Sequence, residues 1–321
     1  MRLILALGLV IGLASQAHAE LRPYDQKPTV SFKVLPAIAD PNQMNKAVHY
    51  LGGYEMTAHG TEQFLGLSDL QLFPTPEGLR VEAISDLGAA VTFDVVADGK
   101  GGLKDTAVDI DLLRDQEGRA YFNRELSDAE DIAYDAQGDT RYVSFERLQR
   151  VMAYPAPEGW RGTGRVLPLS GLPAFPTNEG MEGLTLVHGA LLIGVEAGGF
   201  WTCPLATSAC REVSGPGAPG FLYKLTSLAV LDDGAAKPEI LALYRYFDPF
   251  TGPRNILRLL RFEGNRLVVV EDLLKIAPPL PWDNYEGVAA VRTATGYRLY
   301  LVCDGLHDAD KPKILVYDWT R

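Results

Sequence analysis

Cysteine and histidine are scarce in this chain, three and five among 321 residues. None of them has the spacing of a zinc site, which removes zinc chemistry from the first reading. Long apolar runs are scarce too: the stretch from Leu3 to Leu13 falls short of the ~20 residues that a membrane span requires, and no later segment approaches that length. Helical periodicity is almost absent. There is no G-x-S-x-G elbow, and Ser68, Ser85 and Ser144 have no histidine nearby to activate them, so a serine esterase is not expected. Gly-rich phosphate loops of the nucleotide-binding types are missing as well. Positive charge is in deficit, with a net charge of −11. That balance disfavours nucleic acid and anionic membrane surfaces as partners, and it leaves any polyanionic substrate dependent on metal ions or clustered arginines.

What is present begins with "MRLILALGLVIGLASQAHAE", in which Arg2, the apolar run and Ala17-His18-Ala19 have the pattern of a secretory signal cleaved before Glu20. The expected organisation is a signal over 1–19, an N-terminal segment over 20–44 and one domain over 45–321, in a periplasmic or secreted protein without a membrane span. In such a compartment Cys203 and Cys210, which flank the turn-like "PLATSA", are a candidate disulfide, with two separate thiols as the alternative. Cys303 in "LYLVCDG" has the setting of a buried strand residue.

The rest of the chain repeats itself. "LSDLQL", "AEDIAY", "MEGLTL", "LTSLAV" and "YEGVAA" align on Asp69, Asp131, Gly183, Ser227 and Gly287, at intervals of 62, 52, 44 and 60 residues. A second apolar run follows each and ends in an acid in four copies, at Asp86, Glu146, Glu196 and Asp304; the fourth copy is aligned with Tyr244 at this place. A third run follows in each, with turn signals such as Glu77-Gly78 and Asp232-Asp233-Gly234 between runs.

Short β-branched and aromatic-rich segments at this period predict an all-β protein, and three or four strands per copy predict the blades of a β-propeller. Length divided by the repeat gives a six-bladed propeller, the sixth blade being assembled from the segment around 47–58 and C-terminal strands. A pair of β-sandwiches is the competing architecture; it leaves the recurring motif unexplained. In a propeller the innermost strand of each blade lines the central channel. Glu130, Glu182 and Glu286 then stand at the channel mouth in three blades and Ser68 and Thr226 in two more, while the acids that close the second strands lie near the same opening.

At "LSDL…AISDLG", "AEDIAY…YVSFER", "NEGMEGLTL", "ALYRYFDPFTGPRNILRLLRF" and "DNYEGVAAV…LYLVCDG" the sequence resembles the bacterial exported family named for esterase-like activity of phytase, over roughly 45–318. The resemblance implies a phytase-like propeller related to calcium-dependent enzymes that hydrolyse phosphomonoesters. Glu130, Asp131, Glu182, Glu286 and Arg147 match the family's pattern. Tyr244-Arg245 and Cys303-Asp304-Gly305 depart from it.

A ring of hard oxygen ligands without a His or Cys cluster suits Ca²⁺. The expected ligands are Glu130, Asp131, Glu182, Glu286 and Asp304, with Glu182 and Glu286 also assigned to catalysis. Arg147, Arg245 and Arg254 are the expected phosphate-binding forks. The plainer reading makes the acids strand caps and the arginines their surface partners. His307 and the Asp308, Asp310 pair are read as solvated. Three functions stay open: a metal-dependent hydrolase of a phosphorylated small molecule, a propeller that binds without catalysis, and a calcium-dependent lactonase.

Overall fold

A computed structural model describes residues 27–36, 44–246, 248, 250, 252–305 and 311–321. The expected signal, His307, Asp308 and Asp310 lie outside the described residues. The chain first forms β1 (Thr29–Val34) and β2 (Val48–His59). The repeats follow in order. The first gives β3 (Leu67–Pro74), β4 (Leu79–Ser85), β5 (Ala89–Val95) and β6 (Thr106–Leu112). After a short helix, α1 (Arg124–Ser127), the second gives β7 (Ala129–Asp135), β8 (Thr140–Phe145), β9 (Arg150–Pro155) and β10 (Arg165–Val166). The third gives β11 (Met181–Val187), β12 (Ala190–Val195), β13 (Phe200–Pro204) and β14 (Arg211–Val213). The fourth gives β15 (Tyr223–Val230), β16 (Glu239–Tyr246), β17 (Arg254–Glu263) and β18 (Arg266–Ile276). The last has three strands, β19 (Tyr285–Arg292), β20 (Gly296–Cys303) and β21 (Lys313–Thr320).

Each repeat is an antiparallel meander, since its strands are joined by short turns. The first strands pack against one another in the cyclic order β3, β7, β11, β15, β19 and back to β3, which closes a ring. Five hydrophobic clusters fill the spaces between successive blades, the last of them joining the fifth blade (Tyr300, Val302, Ile314) to the first (Leu70, Val81, Phe93). The first strands are buried on both faces, so they read as continuous apolar runs rather than as alternating ones.

The described residues therefore build five blades where the repeat length predicts six. The reason is the use made of the N-terminal segment. Alone, β19–β21 would expose the edge of β21, and β2 covers it in a register running from Val48 opposite Trp319 to Glu55 opposite Lys313. The segment reserved for a sixth blade is thus the fourth strand of the fifth. Beyond it, β1 pairs with β2 along its length and touches β6 at Thr29 and Val30, joining the fifth and first blades into one nine-stranded sheet.

Cys203 and Cys210 are bonded to each other, tying the end of β13 to the residue before β14. Cys303 is a buried free thiol whose pKa burial pushes well above the usual value. No helix among the described residues is long and apolar enough to cross a membrane.

Candidate functional site

The site is built from one irregularity repeated five times. Each first strand carries a break in its pairing with the second, at Leu67/Asp69, Ala129/Ile132, Met181/Gly183, Leu225/Ser227 and Tyr285/Gly287. A bulge inserts an extra residue and re-aims the side chains beside it. The residues at the bulge are Ser68, Glu130, Glu182, Thr226 and Glu286, and the three glutamates line one cavity at the mouth of the ring. The residues that follow, Asp69, Asp131, Gly183, Ser227 and Gly287, converge below them on the axis.

The axial layer is closed and satisfied. Asp69 and Asp131 are both fully buried. Asp131 Oδ2 accepts the backbone N–H groups of Leu184 at 2.7 Å and Leu228 at 2.9 Å, while its Oδ1 accepts that of Ile132 at 2.6 Å. Asp69 Oδ1 accepts from Ser227 Oγ at 3.1 Å and from the Val288 N–H at 3.2 Å, and its Oδ2 from the Ile132 N–H at 3.2 Å. The two carboxyls also interact with each other. All five first strands are joined through this pair. A Cβ on Gly287 would lie 2.6 Å from Asp69 Cα, so only glycine lets β19 approach this closely. Burial raises Asp69 to about 6; burial and then the charge of Asp69 raise Asp131 well above the carboxylate range. Two carboxyls in contact share a proton rather than ionise together.

The mouth is the opposite. A cavity of about 320 Å³ is lined by eight carboxylates, Asp86, Asp128, Glu130, Glu146, Glu182, Glu196, Glu286 and Asp304, together with Arg124, Arg245, Asn178 and Asn284. Carboxylate oxygens of Asp128, Glu130 and Glu146 lie within 4.8 Å of one another, as do those of Glu146, Glu182 and Glu196. Glu146 belongs to both groups. Asp86 Oδ1 is buried without a hydrogen-bond donor, and Asp128 Oδ1 has Arg124 Nε at 3.5 Å. Burial is the first cause of the raised pKa of every shifted acid here: Asp86 is pushed up to about 6, Glu286 to about 8, and Glu130 and Glu182 well above the ordinary range. Neighbouring negative charge adds to this, from Glu286 and Asp128 on Glu130 and from Glu130 and Glu146 on Glu182.

One cation enters the ring. Register places Leu225 opposite Tyr244, so the residue equivalent to Asp86, Glu146, Glu196 and Asp304 in the fourth blade is Arg245, one place beyond the tyrosine aligned by sequence. Tyr244 is instead buried in the core between the third and fourth blades. Arg245 Nη1 donates to Glu286 Oε1 at 2.5 Å and to Asn284 Oδ1 at 2.9 Å. Burial opposes its charge, but Glu286, Glu182, Glu196 and Asp304 outweigh burial and raise its pKa. Asn284 Nδ2 in turn donates to Glu286 Oε1 at 2.7 Å and Asp304 Oδ2 at 2.8 Å.

Of the residues expected at the site, Glu130, Glu182, Glu286, Asp304 and Arg245 are brought together. Three are elsewhere. Asp131 faces the axis, its oxygens taken by backbone amides. Arg254 opens β17 and lies over the Tyr246 ring, 5.7 Å from its centroid. Arg147 is at the edge, its Nε 2.7 Å from Asp128 Oδ2. Asp128, Arg124, Asn178 and Asn284 were missed by the repeat reading, although the asparagines stand in "TNEGMEGLTL" and "WDNYEGVAAV" just ahead of the mouth glutamates.

No curated protein matches the sequence. Among solved structures, the chain is similar to hydrazine synthase of Kuenenia stuttgartiensis, with 11% identity, coverage of 76% of this chain and 57% of that one, and a TM-score of 0.40. It thus spans little more than half of that protein's length. A chain of a nidogen/laminin complex is 13% identical, with 86% and 85% covered and a TM-score of 0.39. The Cps50 (Swd1) β-propeller domain of Myceliophteria thermophila is 11% identical, with 79% and 97% covered and a TM-score of 0.37. The family model for the esterase-like activity of phytase matches residues 62–305, which takes in every mouth residue named above. The chain belongs to this phytase-like family.

Proposed function

We propose that the mouth binds calcium and that the protein is an exported, calcium-dependent phosphomonoester hydrolase. The observation that carries this reading is the pair of carboxylate triads sharing Glu146, beside a buried Asp86 oxygen that no hydrogen bond satisfies. Eight acids around one cavity repel one another unless protons or cations divide the charge. An all-oxygen donor set of this kind fits Ca²⁺ rather than a thiophilic metal. Asp128, Glu130, Glu146, Glu182 and Glu196 would hold the ions; Asp304 and Glu286 border them, and Asp131 takes no part.

Calcium, when bound, supplies charge neutralisation at a phosphate oxygen and an acidified water. The chain's own groups do the rest. Arg124, 3.5 Å from Asp128 Oδ1, and Arg245, 3.9 Å from Glu196 Oε1, orient the phosphate from the edges of the two triads. Glu286 is the acid: Oε1 is occupied by Arg245 and Asn284, leaving Oε2 to carry a proton at neutral pH, consistent with a carboxyl pushed up to about 8. Glu182, whose pKa burial and the charges of Glu130, Glu146 and Glu196 raise, would take the proton of the attacking water where positive charge held at the triads offsets those neighbours and keeps it ionised. A wide mouth with two arginines suits phosphate better than a lactone.

Phosphate release from phytate and from aryl phosphates, with calcium and then with a chelator, tests the reading. Release that requires calcium and is lost in Glu182→Ala is the expected result. The competing reading, binding without turnover, draws on the engagement of Arg245 with Glu286 and Asn284; folded protein that binds calcium yet releases no phosphate from any substrate would establish it.

A further inference from the structure

A second cavity, of about 500 Å³, lies directly beside the mouth on the flank of the second blade. Val151, Leu167, Leu169, Leu172, Phe175 and Met181 line it with apolar surface, and Arg147, Gln149, Arg150 and Thr177 with polar surface. Three pairs of consecutive residues divide between the two cavities: Glu146, Asn178 and Glu182 face the mouth, and Arg147, Thr177 and Met181 face the side cavity. The partition is therefore one layer of side chains thick. Arg147 crosses it to pair with Asp128 of the mouth.

The outer wall is held in place. The Leu167 N–H donates to Val151 O at 2.9 Å, Gln149 Nε2 donates to Pro176 O at 2.8 Å, and Phe175 packs edge-on against Trp201 with ring centroids 4.9 Å apart. A cavity of this volume, lined by a cluster of apolar side chains together with several polar groups, has the form of a small-molecule subsite.

We propose that this cavity receives the apolar body of the molecule whose phosphate sits at the mouth, so that the substrate is an amphipathic aryl or alkyl phosphomonoester rather than a highly phosphorylated polyol. The inference rests on the phosphate reading of the mouth. Charge supports it: a polyphosphate would set its further anionic groups against eight carboxylates, whereas a single phosphate leaves an uncharged body for the apolar walls. Arg147, at the junction, is the residue that would touch both halves of such a ligand.

Calorimetric binding of 1-naphthyl phosphate and of glycerol 2-phosphate, in calcium, tests this on the wild-type protein and on Leu169→Glu and Leu172→Glu. Both leucines are partly exposed, so the substitutions disturb the cavity more than the fold. The naphthyl ester is expected to bind about tenfold more tightly or better. Both variants should lose that preference and keep their affinity for glycerol 2-phosphate, and inorganic phosphate should displace both esters. Equal affinities in the wild type, a preference that survives both substitutions, or naphthyl phosphate that inorganic phosphate cannot displace overturns the inference. A preference without any turnover would overturn the catalytic reading of the mouth and leave the subsite standing.

Discussion

Glu130 and Asp131 are neighbours in sequence and opposites in circumstance. Asp131 is fully buried, yet three backbone amides satisfy its carboxyl. Glu130 lines an open cavity and faces Glu286, Asp128, Glu146 and Asp86, all of like charge. The bulge makes the difference by turning one side chain along the axis and the other into the mouth. Carboxylates gathered by a symmetric repeat are thus of two kinds, those the fold consumes and those it leaves unsatisfied. Only the second kind is available for chemistry.

The largest test of this division is at the axis. Asp131→Ala leaves the Leu184 and Leu228 N–H groups buried without acceptors, while Ile132 keeps Asp69 Oδ2, and is expected to lower stability by about 2–6 kcal/mol, at about 1–3 kcal/mol for each orphaned donor. Urea unfolding monitored by tryptophan fluorescence measures it; a loss no larger than that of a mouth variant would erase the distinction. Next in size is calcium affinity. Glu146→Gln removes the acid common to both triads and is expected to weaken calcium binding about tenfold or more, since losing even a group that only hydrogen-bonds to a metal ligand costs about 10–100-fold in affinity. Titration calorimetry reads this, and an unchanged affinity would break the triad reading.

Proton linkage gives a third test. The folded-state pKa of Glu286 is raised from 4.5 to about 8 and that of Asp86 from 3.8 to about 6, both chiefly by burial. For a raised carboxyl the folded state holds the proton more tightly. Its stabilising contribution is complete below the unfolded pKa and is lost as pH rises through the folded one. Calcium-free protein should therefore lose stability between about pH 4.5 and pH 8, and calcium should flatten the profile. Thermal melts across that range check it, and a rising profile without calcium would contradict the burial of these acids. The smallest effect belongs to Arg254→Ala. Because Arg254 lies on Tyr246 and not in the mouth, phosphate affinity should change by less than about 0.5 kcal/mol, the range of ordinary surface substitutions.

Much of this was legible in the sequence because a repeat fixes phase. Glu182 and Glu286 stand before a glycine and an apolar run in both copies, and a bulge at that place sends both to one cavity. Asp86, Glu146, Glu196 and Asp304 were legible for the same reason, as ends of second strands. Where phase is ambiguous by a single residue, the reading slips. Asp131 looked like a second ligand because nothing in "AEDIAY" says which acid the bulge turns inward. Tyr244 was aligned in place of Arg245, since β16 runs on past the point where the other second strands end. Blade number was hidden for a different reason. The pairing of β2 with β21 joins distant parts of the chain and leaves no periodic trace, so a segment with no counterpart among the repeats was counted as a unit of its own. Arg147 and Asp128 meet at the open end of the β7–β8 pair, which sequence spacing does not reveal.

The same pairing of β2 with β21 sets an order of events. A strand made early in synthesis has its partner at Lys313–Thr320, so the fifth blade stays unfinished until those residues have been made. The cluster between the fourth and fifth blades includes Val48 of β2 and Trp319 of β21, so it too is completed only then. Long-range pairings are slow because loop-closure entropy precedes any contact that offsets it. A nascent chain halted before residue 313 would present the bare edge of β20, which normally pairs with β21, and that edge is where a chaperone or an aggregating neighbour would attach.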